Sequence, residues 1–119
     1  MRHRVKQIRR LNHKDPDHRD AVLRNLMTSF FVHKSITTTA KRAKNVAIIT
    51  DKLVNLVNTK DKMNAIREVA RYVFTKESSQ ELFSNIAPKY SERKSWITRI
   101  TPIKLRVWDS ARLVKVELV

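Results

Sequence analysis

Hydrophobic residues recur at helical spacing in the first third of the chain. They form a stripe two residues wide that repeats every four positions: Val22, Leu23, Leu26, Met27, Phe30 and Phe31. This pattern predicts an amphipathic helix that buries one face. Asp15 is suited to cap that helix, and Pro16 suits its first helical position. The predicted first helix therefore begins after Asp15 and ends near His33.

A second helical pattern follows a short β-branched run. Residues 36 to 39 predict a strand, after which Thr38 or Thr39 is placed to cap a helix that runs to about Val57. The predicted buried side of this helix consists of Ala43, Val46, Ala47, Ile49, Leu53, Leu56 and Val57. Residues 58 to 61 break the pattern. A third helix is predicted next, and its inward residues are expected to be Met63, Ile66, Val69, Ala70 and Val73.

The pattern changes from helical to alternating toward the end of the chain. Ser78 and Glu81 have the spacing of a capping box and predict a fourth, short helix that Pro88 is expected to end. Residues 95–101 are rich in β-forming side chains, and residues 112–119 alternate between apolar and polar. These two segments predict an antiparallel pair of strands joined near residues 108–111.

The order of elements is thus a helix, a strand, three helices and two strands. If the first strand pairs with the terminal hairpin, the helices cover one face of a small sheet, which is a two-layer α+β architecture. The length of 119 residues suits one hydrophobic core. We expect a basic N-terminal arm, residues 1–14, and a single domain, residues 15–119. The order of the strands remains open.

The charge balance points to a polyanion as the partner of this domain. The chain has 26 Lys and Arg against 11 Asp and Glu, a net charge of +15. Such a domain repels itself, and nucleic acid is the polyanion that neutralises it most readily. The arm contains cations and no acid, so we expect it to become ordered on a polyanion; a solubilising tail is the alternative.

Three cations occupy the predicted first turn of the second helix: Lys41, Arg42 and Lys44. The free N–H groups and the dipole at that end favour negative charge by ~0.3–1 kcal/mol per group, so cations there suit an external phosphate. A solvated basic face is the alternative. A second basic concentration lies between residues 89 and 106 and is flanked by Trp96 and Trp108. Either ring is able to stack on a base, but packing in the core or over a sheet edge is commoner.

Nothing in the sequence assembles a catalytic site. The four histidines lack the spacing of a zinc motif, and there is no cysteine and no glycine for a thiolate site or a phosphate-binding loop. We therefore expect no enzyme, cofactor, metal or small-molecule substrate. Apolar runs fall far short of the ~18 residues of a membrane span, and no signal-peptide pattern is present. These features favour a soluble, cytoplasmic protein without a membrane partner.

Short pieces along the chain resemble one family in their order and spacing. They are Met1-Arg2-His3-Arg4, Leu11-Asn12, His18-Arg19, Arg24-Asn25, His33, Ile36, Thr38-Thr39, Arg42-Ala43-Lys44, Pro88-Lys89-Tyr90, Arg93, Thr98-Arg99-Ile100, Arg106, Asp109 and Glu117-Leu118-Val119. The chain in this respect resembles the bacterial-type large-subunit ribosomal protein seventeen family. The resemblance implies an α+β structural protein of the ribosome that binds large-subunit rRNA near the nascent-chain exit tunnel, beside neighbouring ribosomal proteins.

The chain also departs from the pattern of that family. Ser95 and Trp96 stand where relatives usually have two glycines, and Trp108 stands where they have one. Lys34 and Asn45 stand where acids are usual, and Lys41 replaces a common proline. Because a residue with a Cβ atom is disfavoured at positive φ, the lost glycines put the backbone path of residues 93–98 in question.

The predicted RNA-binding residues are cations of the arm, the first helix, the start of the second helix and the segment from 93 to 99. They are Arg2, His3, Arg4, Lys6, Arg9, Arg10, Arg19, Arg24, Lys41, Arg42, Lys44, Arg93, Lys94 and Arg99. Arg19 and Arg24 lie off the apolar stripe and are expected to point outward. The expected mechanism is charge neutralisation with shape recognition. The competing function is general nucleic-acid binding or DNA compaction, although no helix-turn-helix or β-ribbon arm is evident.

Overall fold

The computed structural model describes residues 15–119, so the predicted arm, residues 1–14, lies outside the described part. The first elements are α1 (Pro16–His33), β1 (Ser35–Thr39), α2 (Ala40–Thr59) and α3 (Lys62–Val69). The later elements are α4 (Lys76–Glu81), a π-helical segment (Leu82–Ile86), α5 (Ala87–Lys89), β2 (Thr98–Leu105) and β3 (Arg112–Leu118). The predicted order of helices and strands is confirmed.

The three strands form one antiparallel sheet in the order β1-β3-β2. Val116 of the central strand lies opposite Ile36 of β1 and Ile100 of β2. Val114 and Val116 are buried beneath the helices, whereas Lys115 between them lies on the exposed face. The alternation in the sequence therefore assigned the two faces correctly, and the two-layer α+β fold is confirmed.

The core lies between the sheet and the helices. α1 contributes Met27, Phe30 and Phe31, all fully buried, and the two Phe ring centroids are 5.9 Å apart. α2 spans about 30 Å and packs one face on this core. Two polar residues on that face, Asn45 and Thr50, are buried because their side chains donate hydrogen bonds to helix carbonyls one turn earlier. The opposite face of α2 stays exposed.

The starts of the first two helices follow the sequence signals to different degrees. The Asp15 carboxylate accepts a hydrogen bond from the His18 N–H at 3.3 Å, and Pro16 opens α1, so this predicted cap is confirmed. α1 ends where Lys34 takes a left-handed backbone with φ 63°. Thr39 is the N-cap residue of α2, but its side chain makes no capping hydrogen bond. α2 continues two residues beyond the predicted end at Val57.

The inward face predicted for the third helix is wrong in part. Val69 and Val73 are buried as predicted, but Met63 is 69% exposed and Ile66 is 45% exposed, and the helix buries Ala65, which the prediction left out. The prediction assumed one continuous helix as far as Val73, but α3 ends at Val69 and a turn follows. The short helix is consequently rotated from the face that its apolar spacing suggests.

The predicted boundaries of the fourth helix are also wrong. Thr75, three residues before Ser78, is the N-cap and accepts a hydrogen bond from the Ser78 N–H, so Ser78 lies buried inside the first turn. Pro88 does not end the helical region, which continues to Lys89. Pro88 lies in α5, as the second residue after the π-helical segment, and does not interrupt the helical run.

Candidate nucleic-acid interface

The candidate site begins where β1 runs directly into α2. Lys41, Arg42 and Lys44 are all exposed in the first turns of this helix. The first turn has no acidic residue, and the Thr39 hydroxyl leaves the first N–H groups without a side-chain acceptor. This end of α2 therefore combines the positive end of a helix dipole with three side-chain cations.

One exposed stripe of α2 continues from these cations. Lys41, Lys44 and Ile48 are spaced by three and four residues and so lie on one face of the helix. The segment from 91 to 97 is attached to the same side of α2 by two hydrogen bonds. Asn55 Nδ2 donates to the Lys94 carbonyl at 2.6 Å, and the Ile97 N–H donates to Asp51 Oδ1 at 3.3 Å.

Trp96 lies between these two attachments and projects into solvent. Its side chain is 78% exposed and its backbone has φ 60°, the left-handed region. The sequence left open whether this ring packs in the core or stacks on a base; the structure excludes the core, since the segment turns there and directs the indole outward. Together, Lys41, Lys44, Ile48, Lys94 and Trp96 form what we call the α2 surface.

A cavity of about 310 Å³ separates the helix from the Trp96 segment. Its walls are Ala47, Ile48 and Asp51 of α2, Ser95 and Trp96 of the segment, and Thr98 and Ile100 of β2. Ile48 and Ile100 are 44% and 38% exposed. The cavity is thus bounded mainly by apolar side chains, with one carboxylate at its side.

The positive charges of the α2 surface are not neutralised within residues 15–119. The salt bridges of that part of the chain are Lys34–Glu81, Arg71–Glu68, Arg106–Asp109 and Lys115–Glu117. None of them includes a residue that the sequence analysis assigned to RNA binding. An anion that approaches Lys41, Lys44 or Lys94 therefore meets no competing carboxylate ion pair.

Other predicted site residues lie on different surfaces. Arg99 lies between Thr98 and Ile100, which face the cavity, so it projects to the opposite face of the sheet. Arg93 is exposed in the segment that carries Trp96, and Arg19 is half-buried near the start of α1. The structure brings Lys41, Lys44 and Lys94 to one side of the molecule but places Arg99 elsewhere.

The expectation that Arg24 points outward is wrong. Its guanidinium donates to the carbonyls of Ala70 and Val73 at 3.2 and 3.3 Å, and it stacks 4.1 Å from the centre of the Phe74 ring. Both carbonyls belong to the turn after α3, where the helix has ended and leaves acceptors free. Arg24 therefore links α1 to this turn by hydrogen bonds.

The β2–β3 turn contains a second internally bonded arginine that the sequence analysis did not single out as structural. Arg106 donates to both carboxylate oxygens of Asp109 at 2.9 and 2.5 Å and stacks 4.5 Å from the Trp108 ring centre. The hydrogen bonds from Arg106 lower the pKa of Asp109 to about 2, with help from the Ala111 N–H. The Arg-x-x-Asp spacing within a predicted turn was the available signal.

Residues 15–119 contain neither a membrane-spanning helix nor a metal-binding cluster. No helix there has the length and apolar character needed to cross a membrane. No group of three or more His, Asp or Glu side chains in that range is arranged to hold a metal ion.

Comparison with known proteins identifies the family of this chain. Residues 22–119 match the family model of ribosomal protein L17. The chain belongs to this family. The large ribosomal subunit protein bL17 of Clostridium kluyveri is 46% identical over 103 residues, which cover 87% of this chain and 90% of that protein. The bL17 protein of Geobacter sulfurreducens is 42% identical over 119 residues, all of this chain and 66% of that protein.

Membership of the L17 family confirms the resemblance seen in the sequence. It makes the protein a structural constituent of the large ribosomal subunit and not an enzyme. The candidate RNA-binding residues within residues 15–119 now fall into three groups. The cations of α2 and of the Trp96 segment lie on or beside the α2 surface, and Arg19 and Arg99 lie on other faces. The guanidinium of Arg24 is bonded within the fold.

Proposed function

We propose that the protein binds large-subunit rRNA, with the α2 surface as a principal contact of the folded domain. The observation that carries this proposal is the start of α2, where three exposed cations stand beside N–H groups that lack a side-chain cap. Phosphate oxygens satisfy both kinds of group at once. The family's position in the large subunit makes rRNA the available source of phosphate.

The mechanism is phosphate binding that positions the domain on folded RNA. Lys41 and Lys44 lie one helical turn apart and are free to contact phosphates along one RNA strand. Arg42 extends this contact around the helix end, while Arg93 and Lys94 extend it along the neighbouring segment. Arg19 and Arg99 are proposed as separate contacts on other faces.

The arm is proposed as the second principal contact. Its predicted RNA-binding residues are Arg2, His3, Arg4, Lys6, Arg9 and Arg10. A one-signed segment of this kind threads between RNA helices because phosphate neutralisation offsets the loss of chain entropy. We further propose that the bound protein lies near the exit of the nascent-chain tunnel, in contact with neighbouring large-subunit proteins.

Sedimentation tests the proposal on intact ribosomes. Cell lysate is separated on sucrose gradients at moderate and at high salt, and the protein is followed by mass spectrometry. Co-migration with large subunits that survives high salt is expected of an integral component. Release to the top of the gradient, or migration with DNA, would favour the general nucleic-acid binder instead.

A charge-matched pair of variants tests the basic start of α2. We expect the Lys41→Ala, Arg42→Ala, Lys44→Ala triple variant to weaken binding to protein-free large-subunit rRNA and to flatten the slope of log K against log salt by roughly 2–3 units. The control replaces Lys60, Lys62 and Arg67, which are exposed at the far end of α2 and on α3. Both variants lower the net charge of +15 by three.

Equal losses in the two triple variants would contradict a defined contact at the start of α2, because they would follow from net charge alone. A competition with duplex DNA of equal nucleotide content completes the test. We expect the wild-type protein to prefer the rRNA, since its site is matched to a folded RNA. Equal competition by DNA would support the alternative function.

A further inference from the structure

We propose that the cavity between α2 and the Trp96 segment takes an unpaired base of the bound RNA, with the base stacked on the Trp96 indole. This inference rests on the proposed function, because it names a subsite within the RNA contact.

The first support is the shape and lining of the cavity. Trp96 forms one wall, and Ile48 and Ile100 contribute the apolar surface opposite the segment. Within residues 15–119 no cationic or aromatic side chain stacks on the Trp96 ring, so its faces are available. A flat base is the ligand that covers an aromatic face and an aliphatic wall together.

The second support is the way the backbone holds the ring. Trp96 lies between Lys94 and Ile97, whose backbone groups are bonded to Asn55 and Asp51 of α2. The indole is consequently presented from a segment that is fixed on both sides. Such preorganisation reduces the entropy lost when a ligand is bound.

The third support is the backbone conformation of Trp96 itself. A bulky residue at φ 60° is an uncommon and unfavourable choice, and glycine is the residue that this conformation favours. Strained conformations of this kind concentrate at functional sites. Since the indole gains little within residues 15–119, an external ligand accounts for its place there.

The fourth support is charge complementarity around the cavity. Lys44 precedes Ile48 by one turn of α2, about 6 Å along the helix, and lies on the same exposed face, so its side chain is a candidate contact for the phosphate adjoining the base. Lys94 supplies a second cation at the segment. Asp51 lines the cavity, and its carboxylate is an acceptor suited to an amino or imino N–H of a base. This combination favours a nucleotide over an apolar protein segment.

Fluorescence of single-tryptophan proteins tests the stacking directly, because the chain has two tryptophans. Trp108→Phe leaves Trp96 as the only indole, and Trp96→Phe leaves Trp108. Each protein is titrated with protein-free large-subunit rRNA. We expect strong quenching of Trp96 at saturation and little change of Trp108, whose ring already carries Arg106.

Binding affinity provides the second measurement. Trp96→Ala is expected to lower the affinity for the same rRNA by roughly 5- to 150-fold, the range found when a stacked aromatic residue is removed. Trp96→Phe should retain part of the affinity, and Trp108→Ala is the matched control, with equal exposure and a small expected effect. The salt slope should stay unchanged in Trp96→Ala, since no phosphate contact is lost.

The possible outcomes separate this inference from the proposed function. If the wild-type protein shows no salt-dependent binding to rRNA, the proposed function fails and the subsite fails with it. If the wild-type protein binds but Trp96→Ala binds equally well, only the subsite is overturned. Quenching of Trp96 in assembled subunits but not with rRNA alone would also overturn it, because a protein neighbour would then cover the ring.

Discussion

Trp96 and Trp108 offer a comparison between two regions of one small molecule. Both side chains are 78% exposed. Trp108 lies in the β2–β3 turn, where the guanidinium of Arg106 stacks on its ring. Trp96 lies on the α2 surface, and within residues 15–119 nothing stacks on it. The two rings are therefore equally exposed, but only the Trp108 ring is stacked on by another side chain of residues 15–119.

The charges of the two regions differ in the same way. In the β2–β3 turn, Arg106 and Asp109 bind each other through two hydrogen bonds. On the α2 surface, Lys41 and Lys44 have no carboxylate partner within residues 15–119. Exposure therefore does not identify a binding residue by itself. The informative property is whether the fold already satisfies the side chain.

The largest effect on stability is expected at Arg24 of α1. Like Arg106, it is an arginine whose guanidinium is already bonded within the fold. Arg24→Ala removes two charge-assisted hydrogen bonds and the contact with Phe74, and we expect the free energy of unfolding to fall by about 2–3 kcal/mol. Urea denaturation measures the change. Arg19→Ala is the control on the same helix and should stay within about 0.5 kcal/mol. A stable Arg24→Ala protein with a flatter salt slope would instead make Arg24 an RNA contact.

The next effect concerns the bond that fixes the Trp96 segment. Asp51→Ala leaves the Ile97 N–H without its acceptor, which costs about 1–2 kcal/mol of stability by the usual penalty for an unsatisfied group. Asp51→Asn is the matched control for the stability measurement, because its amide oxygen still accepts the bond. We expect Asp51→Ala to weaken rRNA binding as well, since the indole is no longer held. Unchanged affinity and stability in Asp51→Ala would show that the segment does not depend on this bond.

The parts of the fold that the sequence predicted depend on local signals. The Asp15 cap and Pro16 lie next to each other in the chain, and the alternation of β3 is complete within seven residues. The strong apolar stripe of α1 likewise identified Met27, Phe30 and Phe31 as core residues. For these elements, neighbouring residues contain all the information that the prediction needs.

The parts that the sequence did not predict depend on contacts between distant residues. Arg24 bonds to carbonyls 46 and 49 positions away, and Asp51 accepts from an N–H 46 positions away. No periodicity in either segment reports such a contact. The outward position of Trp96 depends on the same long-range attachment. The basic start of α2 was visible in sequence because its three cations are close together, but its proximity to the Trp96 segment was not.

A smaller effect is expected from the two non-glycine residues with positive φ in these regions. Trp96 has φ 60° and Ser110 has φ 56°. Glycine at either position removes the steric cost of the left-handed backbone, so Trp96→Gly and Ser110→Gly should each raise stability by up to about 1 kcal/mol. Thermal unfolding measures both changes.

RNA binding then separates the two glycine variants. Trp96→Gly should be more stable and yet bind rRNA more weakly, whereas Ser110→Gly should be more stable with unchanged affinity. A gain in stability together with a loss of affinity would identify Trp96 as a residue kept for binding. A gain in stability with unchanged affinity would identify Ser110 as a residue that only tolerates strain. If Trp96→Gly loses stability instead, the indole supports the fold, and the comparison between the two tryptophans fails.

The smallest effect is a pH dependence confined to the β2–β3 turn. Because Arg106 holds the pKa of Asp109 at about 2, below its ordinary value of 3.8, the turn is stabilised fully above about pH 4. This contribution is lost as the pH falls through about 2, when the carboxylate is protonated and releases Arg106. Trp108 fluorescence in the Trp96→Phe protein should report the release, and Asp109→Asn should abolish the transition. A midpoint near pH 4 would mean that Arg106 and Asp109 are not bonded in solution, and Trp108 would then be as available for stacking as Trp96.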